Sequence, residues 1–257
     1  MDQALNQKID AFIAANKEQW LKDIEALVSI NSVESTPAEG APFGQGARAA
    51  LDKTLELAAG MGFATRNCEN YIGYAELPGA DAEKYLATIC HVDVVPEGNG
   101  WTGDPFQMEV RDGWLIGRGV ADDKGPMITI LYALKFLKEQ GYSLKYPIRA
   151  LVGDNEETSM ADVKYYLKHY PAPVFCFTPT ETLPREDRMD IMTNRKMGTR
   201  MPTTRASSQR MVAMTTSAPM MVTEEVSTSS GPWWASSVSS NRSVVRRLIS
   251  WPVRFLS

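Results

Sequence analysis

The chain changes character at position 180, and that break limits which part of it can be read as a conventional fold. Residues 181–257 hold 22 Ser plus Thr and 10 Arg, with Lys196 as the single lysine and no Tyr or His. Residues 1–180 carry 11 Lys against 5 Arg and all nine tyrosines. No hydrophobic period of about 3.6 or 2 residues is sustained beyond the break, so the segment lacks the pattern from which helices and strands build a core. Trp233, Trp234 and Trp251 fit a purely polar disordered tail poorly. The expected organisation is a folded part over residues 1–179 and an aberrant tail, disordered or read out of frame, over 180–257.

Within the first part the pattern alternates. Phe12, Ile13, Trp20, Leu21, Ile24, Leu27 and Val28 recur at helical spacing among Lys, Glu and Gln, which predicts an amphipathic helix ending near Ile30. Ala47, Leu51, Leu55 and Ala58 predict a second, stopped by Gly60. "YLATIC" then reads as a buried strand, and Asp112-Gly113 joins two strand-like runs as a two-residue hairpin. Pro126 opens a helix bearing Met127, Ile130, Leu131, Leu134 and Leu137, which Gly141 closes. "YPIRALVG", a helix at "ADVKYYLKHY" and the apolar "VFCF" follow. Strands alternating with helices predict an α/β fold whose sheet is covered on both faces.

Bulk properties exclude several roles. A formal charge of −4 gives no overall basic field, so neither nucleic acid nor an anionic membrane is the expected partner. Three widely spaced cysteines indicate neither a disulfide framework nor a thiolate zinc site. No apolar run reaches the roughly 18 residues of a membrane span, and the first residues lack a signal-peptide pattern. A soluble, cytoplasmic protein is expected.

Three groups could carry chemistry: His91 with Asp93, Asp122 with Asp123, and Glu156 with Glu157. Each stands just after a predicted strand or in a strand-to-helix connection, where α/β sheets build their ligand crevices. Imidazole and carboxylates together form a ligand set for zinc or a related divalent ion. Singly, each has a plainer reading. His91 is satisfied as a structural histidine, Asp93 as a loop acceptor, and Asp122 as a cap of the helix that Pro126 opens. Glu156 and Glu157 read as a solvated turn beside the turn-formers Asp154 and Asn155, and Cys90 as a small buried side chain.

Taken in order, "HVDVVP", "GWTGDPF", "GRGVADDKGP", "GDNEETS" and "FTP" resemble the co-catalytic zinc peptidase family that includes carboxypeptidase G, succinyl-diaminopimelate desuccinylase, acetylornithine deacetylase and aminoacylase. "PFGQGARAALDKTLELAAGMGFATRNCENYIGYAEL" brings the resemblance nearest to the PepV-like dipeptidases, over residues 1–179. The resemblance implies two zinc ions, with His91 on one, Glu157 on the other and Asp122 bridging both. It implies that Asp93 orients the His91 ring and that Glu156 is the general base. The implied fold is a partial zinc-peptidase catalytic domain, a mixed sheet with helices on both faces and no lid domain. The implied substrate is a dipeptide.

Two expected ligands are missing. The family pattern wants an aspartate after "FTP", where this chain has Thr180, and a later histidine, whereas the last one here is His169. Reading the codons of Thr180 to Leu183 after restoring one lost nucleotide permits "FTPDGDF", which returns the aspartate to its place. The expectation is therefore a frameshifted, truncated and inactive chain. Two alternatives stand beside it: a non-catalytic remnant that binds a partner or nucleic acid through its Arg-rich tail, and a related N-acyl amino acid amidohydrolase.

Overall fold

The computed structural model describes residues 3–81 and 83–179, with the backbone of 254–256. Two helices come first, α1 (Gln3–Val28) and α2 (Gln45–Gly60), followed by strands β1 (Ala64–Cys68), β2 (Ile72–Leu77) and β3 (Leu86–His91). The short hairpin β4 (Glu109–Arg111) and β5 (Trp114–Ile116) leads through a tight turn at Val120–Lys124 into α3 (Gly125–Glu139). β6 (Ile148–Gly153), α4 (Ala161–His169) and β7 (Phe175–Phe177) complete the main body, and β8 (Arg254–Leu256) pairs in parallel with β5.

The main sheet has the order β1-β2-β6-β3-β7. β1 and β2 pair antiparallel, as do β2 and β6, whereas β3 runs parallel to both β6 and β7. The mixed sheet agrees with the sequence expectation. Side chains alternate between its faces, as the two-residue strand period requires. Ile148, Ala150 and Val152 of β6 join the larger core with α1, α2 and α3. Leu151 points the other way, into a smaller core with Ala87, Ile89, Tyr85 and Tyr166 of α4. Helices therefore cover both faces.

α3 is buried nearly all round because it lies within the larger core beside α1. Phe12 meets Phe136 edge to face at 5.3 Å, and the Trp20 indole donates to the Thr129 hydroxyl at 3.3 Å. The Tyr132 hydroxyl donates to the buried Asp23 carboxylate at 2.7 Å. The hairpin read from Asp112-Gly113 is present, with both residues at positive φ, 51° and 79°. The β1–β2 hairpin was not read from the sequence, since its turn is made by Glu69 and Asn70, at φ 52° and 65°, with no glycine. There the Asn67 side chain accepts the Asn70 N–H at 2.7 Å. Thr180 and the Ser/Thr-rich segment up to residue 253 lie outside the described residues.

Candidate metal centre

β3 and β6 are parallel neighbours in the register His91 opposite Gly153, so their carboxyl ends finish side by side. His91 ends β3, and the loop Asp154–Glu157 leaves β6 directly beside it. The turn ahead of α3 supplies Asp122. One potential ligand atom from each of His91, Asp122 and Glu157 lies within 4.8 Å of the others. His91 is buried, Glu157 half-buried and Asp122 exposed.

The His91 ring is held from both ends. Its Nδ1 lies 3.0 Å from the Asp93 backbone carbonyl and 3.4 Å from Asp93 Oδ1. Its Nε2 is 3.0 Å from Asp122 Oδ1 and 3.9 Å from Glu156 Oε2. With Nδ1–H donating to the carbonyl, Nε2–H donates to the Asp122 carboxylate, and loss of that proton to an incoming cation would free the Nε2 lone pair that a metal ligand needs. The Asp93 carboxylate, 1% exposed, accepts the N–H of Glu156 at 3.1 Å and of Glu157 at 3.0 Å. Asp93 thus links the imidazole to the glutamate loop, with its carbonyl closer to the ring than its carboxylate.

The electrostatics are those of carboxylates crowded together. Burial pushes Glu157 up to about 7, and the charge of Asp122 adds to it. Asp123, buried against Cys90 and beside Asp122, is also raised to about 7. Burial alone would lower His91, but its hydrogen bonds to Asp122 and Asp93 hold it well above its ordinary value. The same bond to His91 lowers Asp122. Lys124 is fully buried and donates to the Ile30 carbonyl at 2.7 Å. Burial brings Lys124 down to about 7 against the opposing pull of Asp93 and Asp154. An imidazole and two carboxylates converging on one point, with the Glu157 charge disfavoured by burial and by Asp122, fit a divalent cation of the zinc type.

The five residues to which the resemblance gives roles, His91, Asp93, Asp122, Glu156 and Glu157, meet here, and the sixth candidate, Asp123, is buried beside them. Asp122 is not a helix cap: Lys124 holds the cap position of α3, and no side-chain capping bond is made. Glu156 and Glu157 do stand in a turn but are half-buried rather than solvated, and the turn-formers Asp154 and Asn155 beside them are 1% and 0% exposed. Cys90 is buried, as expected, and all three cysteines are free. The other histidine, His169, instead stacks on Tyr165 at 4.3 Å. Sequence reasoning missed Lys124, visible only as the lysine of "ADDKGP", and Asp162, visible only as an acidic residue in the first turn of α4.

Residues 87–240 match peptidase family M20/M25/M40. The chain belongs to this family. The match begins within β3, contains the strand ends, turn and loop of the centre, and continues beyond position 180. The Beta-Ala-Xaa dipeptidase of Lactobacillus delbrueckii subsp. lactis is 44% identical over 173 residues, covering 66% of this chain and 36% of that protein. Human carnosine dipeptidase 1 shares the fold with a TM-score of 0.56 at 18% identity, over 67% of this chain and 40% of that one. Dug1p, a di-peptidase from Saccharomyces cerevisiae, gives 0.55 at 19%, over 69% and 41%. This M20 family chain spans little more than a third of the curated relatives it matches, 37% and 36% of the first two. Among the described residues no helix is long and apolar enough to cross a membrane.

Proposed function

We propose that this chain carries the metal-holding and base-bearing part of a cytoplasmic dipeptidase that hydrolyses a peptide bond with an activated water. The observation behind the proposal is the convergence of His91, Asp122 and Glu157 within 4.8 Å. The 44% identity to a Beta-Ala-Xaa dipeptidase supports the substrate class. His91 would hold one zinc ion, Glu157 a second, and Asp122 both. Bound there, the ions polarise the scissile carbonyl and lower the pKa of water. Glu156, whose carboxylate faces the same space as His91 Nε2, takes a proton from the attacking water and returns it to the leaving amine. Asp93 keeps the imidazole and both glutamates in register.

The proposal includes a frame interruption at Thr180, which would put a neutral hydroxyl where the family pattern has a carboxylate ligand and so leave this chain inactive. Two experiments test it. Sequencing the gene downstream of the Phe177 codon should reveal a frame one nucleotide away that reads "FTPDGDF" and continues to a histidine-bearing motif. No such frame would remove the interruption from the proposal. The protein translated from the restored frame should hydrolyse β-alanyl dipeptides, and Glu156→Gln should lower its kcat by roughly 10²- to 10⁴-fold with zinc still bound. Wild-type turnover by that variant would remove Glu156 from its role, and a preference for N-acyl amino acids would replace the dipeptide assignment.

A further inference from the structure

The loop after β6 presents four consecutive backbone N–H groups, and each is taken by a carboxylate from outside the stretch 154–157. Asp162 Oδ2 accepts from Asp154 at 2.7 Å and from Asn155 at 3.1 Å. Asp93 accepts from Glu156 through Oδ1 and from Glu157 through Oδ2. Both carboxylates are 1% exposed. Burying a carboxylate is unfavourable unless hydrogen bonds compensate it, and a simple turn does not need two of them. The far side of the loop is already closed by the Asn155 side chain, which accepts from Ala161 N–H at 3.1 Å and from the Ser159 hydroxyl, and donates to Thr158. The last residue of β6 is shaped for this arrangement too. A Cβ on Gly153 would come within 2.8 Å of Asp162 Oδ2, so the missing side chain makes room for the carboxylate.

The geometry points to Asp162 as a positioning residue of the metal centre, which with Asp93 clamps the four amides of 154–157 so that Glu157 stays beside His91 and Asp122. This rests on reading those three residues as a metal site. Asp162 touches none of them, so it acts through the backbone alone.

The test is Co²⁺ titration of the full 257-residue chain, with its d–d absorption recorded, alongside amide hydrogen exchange over residues 148–160. Wild type is compared with Asp162→Ala, Asp162→Asn and Gly153→Ala. Asp162→Ala should bind Co²⁺ roughly 10- to 100-fold more weakly, shift the d–d spectrum, and speed exchange at 154–157 while leaving β6 at wild-type rates. Asp162→Asn, which keeps a carbonyl oxygen facing the two N–H groups, should recover most of the affinity. Gly153→Ala, which crowds the carboxylate, should move in the direction of Asp162→Ala. Wild-type affinity and spectrum in Asp162→Ala, or a loss confined to thermal stability, would overturn the clamp. Should Asp162→Ala not fold, unchanged affinity and exchange in Gly153→Ala would overturn it equally. If the wild-type chain takes up no Co²⁺, the metal reading falls separately and exchange decides: acceleration confined to 154–157 supports the clamp, and wild-type rates refute it.

Discussion

Asp93 meets three groups at once: its carbonyl faces the His91 ring, and its two carboxylate oxygens take the N–H groups of Glu156 and Glu157. Asparagine keeps the shape but turns one of those acceptors into a donor, which then opposes a backbone N–H. Asp93→Asn should therefore weaken zinc binding roughly 10- to 100-fold, measured by competition with a chromophoric chelator. Wild-type affinity would mean that the carboxylate merely fills space. The five residues of the centre took their roles from the ordered motifs of the family resemblance, and were legible as candidates because each follows a strand or stands in a strand-to-helix connection, where an α/β sheet places its crevice. Lys124 and Asp162 were not. The contact of Lys124 with Ile30 spans 94 residues, and the part played by Asp162 appears only once α4 has folded back on the loop.

At the level of elements, the apolar stripes of α1 and α3 were visible at helical spacing, and so was their burial. The polar seam between them was not, because periodicity does not register a buried carboxylate. Asp23 is 5% exposed and accepts from both Tyr132 and Gln19. Tyr132→Phe removes one donor and leaves the carboxylate under-satisfied, so it should lower stability by about 1–3 kcal/mol in urea unfolding, with zinc affinity unchanged. A loss of zinc affinity in the folded variant would tie the helix pair to the site, contrary to this account. β1 escaped sequence reading for a related reason. Its first three residues are exposed, and its turn uses left-handed Glu69 and Asn70 where a glycine would have announced a hairpin.

At the scale of the whole molecule, buried carboxylates outnumber buried cations around the centre among the described residues, and stability should depend on pH accordingly. Asp123 and Glu157 are raised to about 7 and Asp162 to about 6, each chiefly by burial. A group whose folded pKa exceeds its unfolded one contributes stability that is present at low pH and lost as pH rises through the folded value. Raised His91 adds the same sign above its unfolded value. Lys124, lowered to about 7, has the opposite sign, and its contribution recovers only above that value. The metal-free chain should therefore lose Tm between about pH 5 and pH 7, whereas zinc, which requires deprotonated ligands, should raise Tm more at the higher pH. Calorimetry with and without a chelator checks both, and a metal-free Tm that rises over this interval would refute the assignment of the buried carboxylates. The pairing of His91 opposite Gly153 has a consequence for how such a chain matures. A slip of one residue between β3 and β6 would turn the imidazole to the other face of the sheet, so an ion held by His91, Asp122 and Glu157 would favour the correctly paired chain over its misaligned forms.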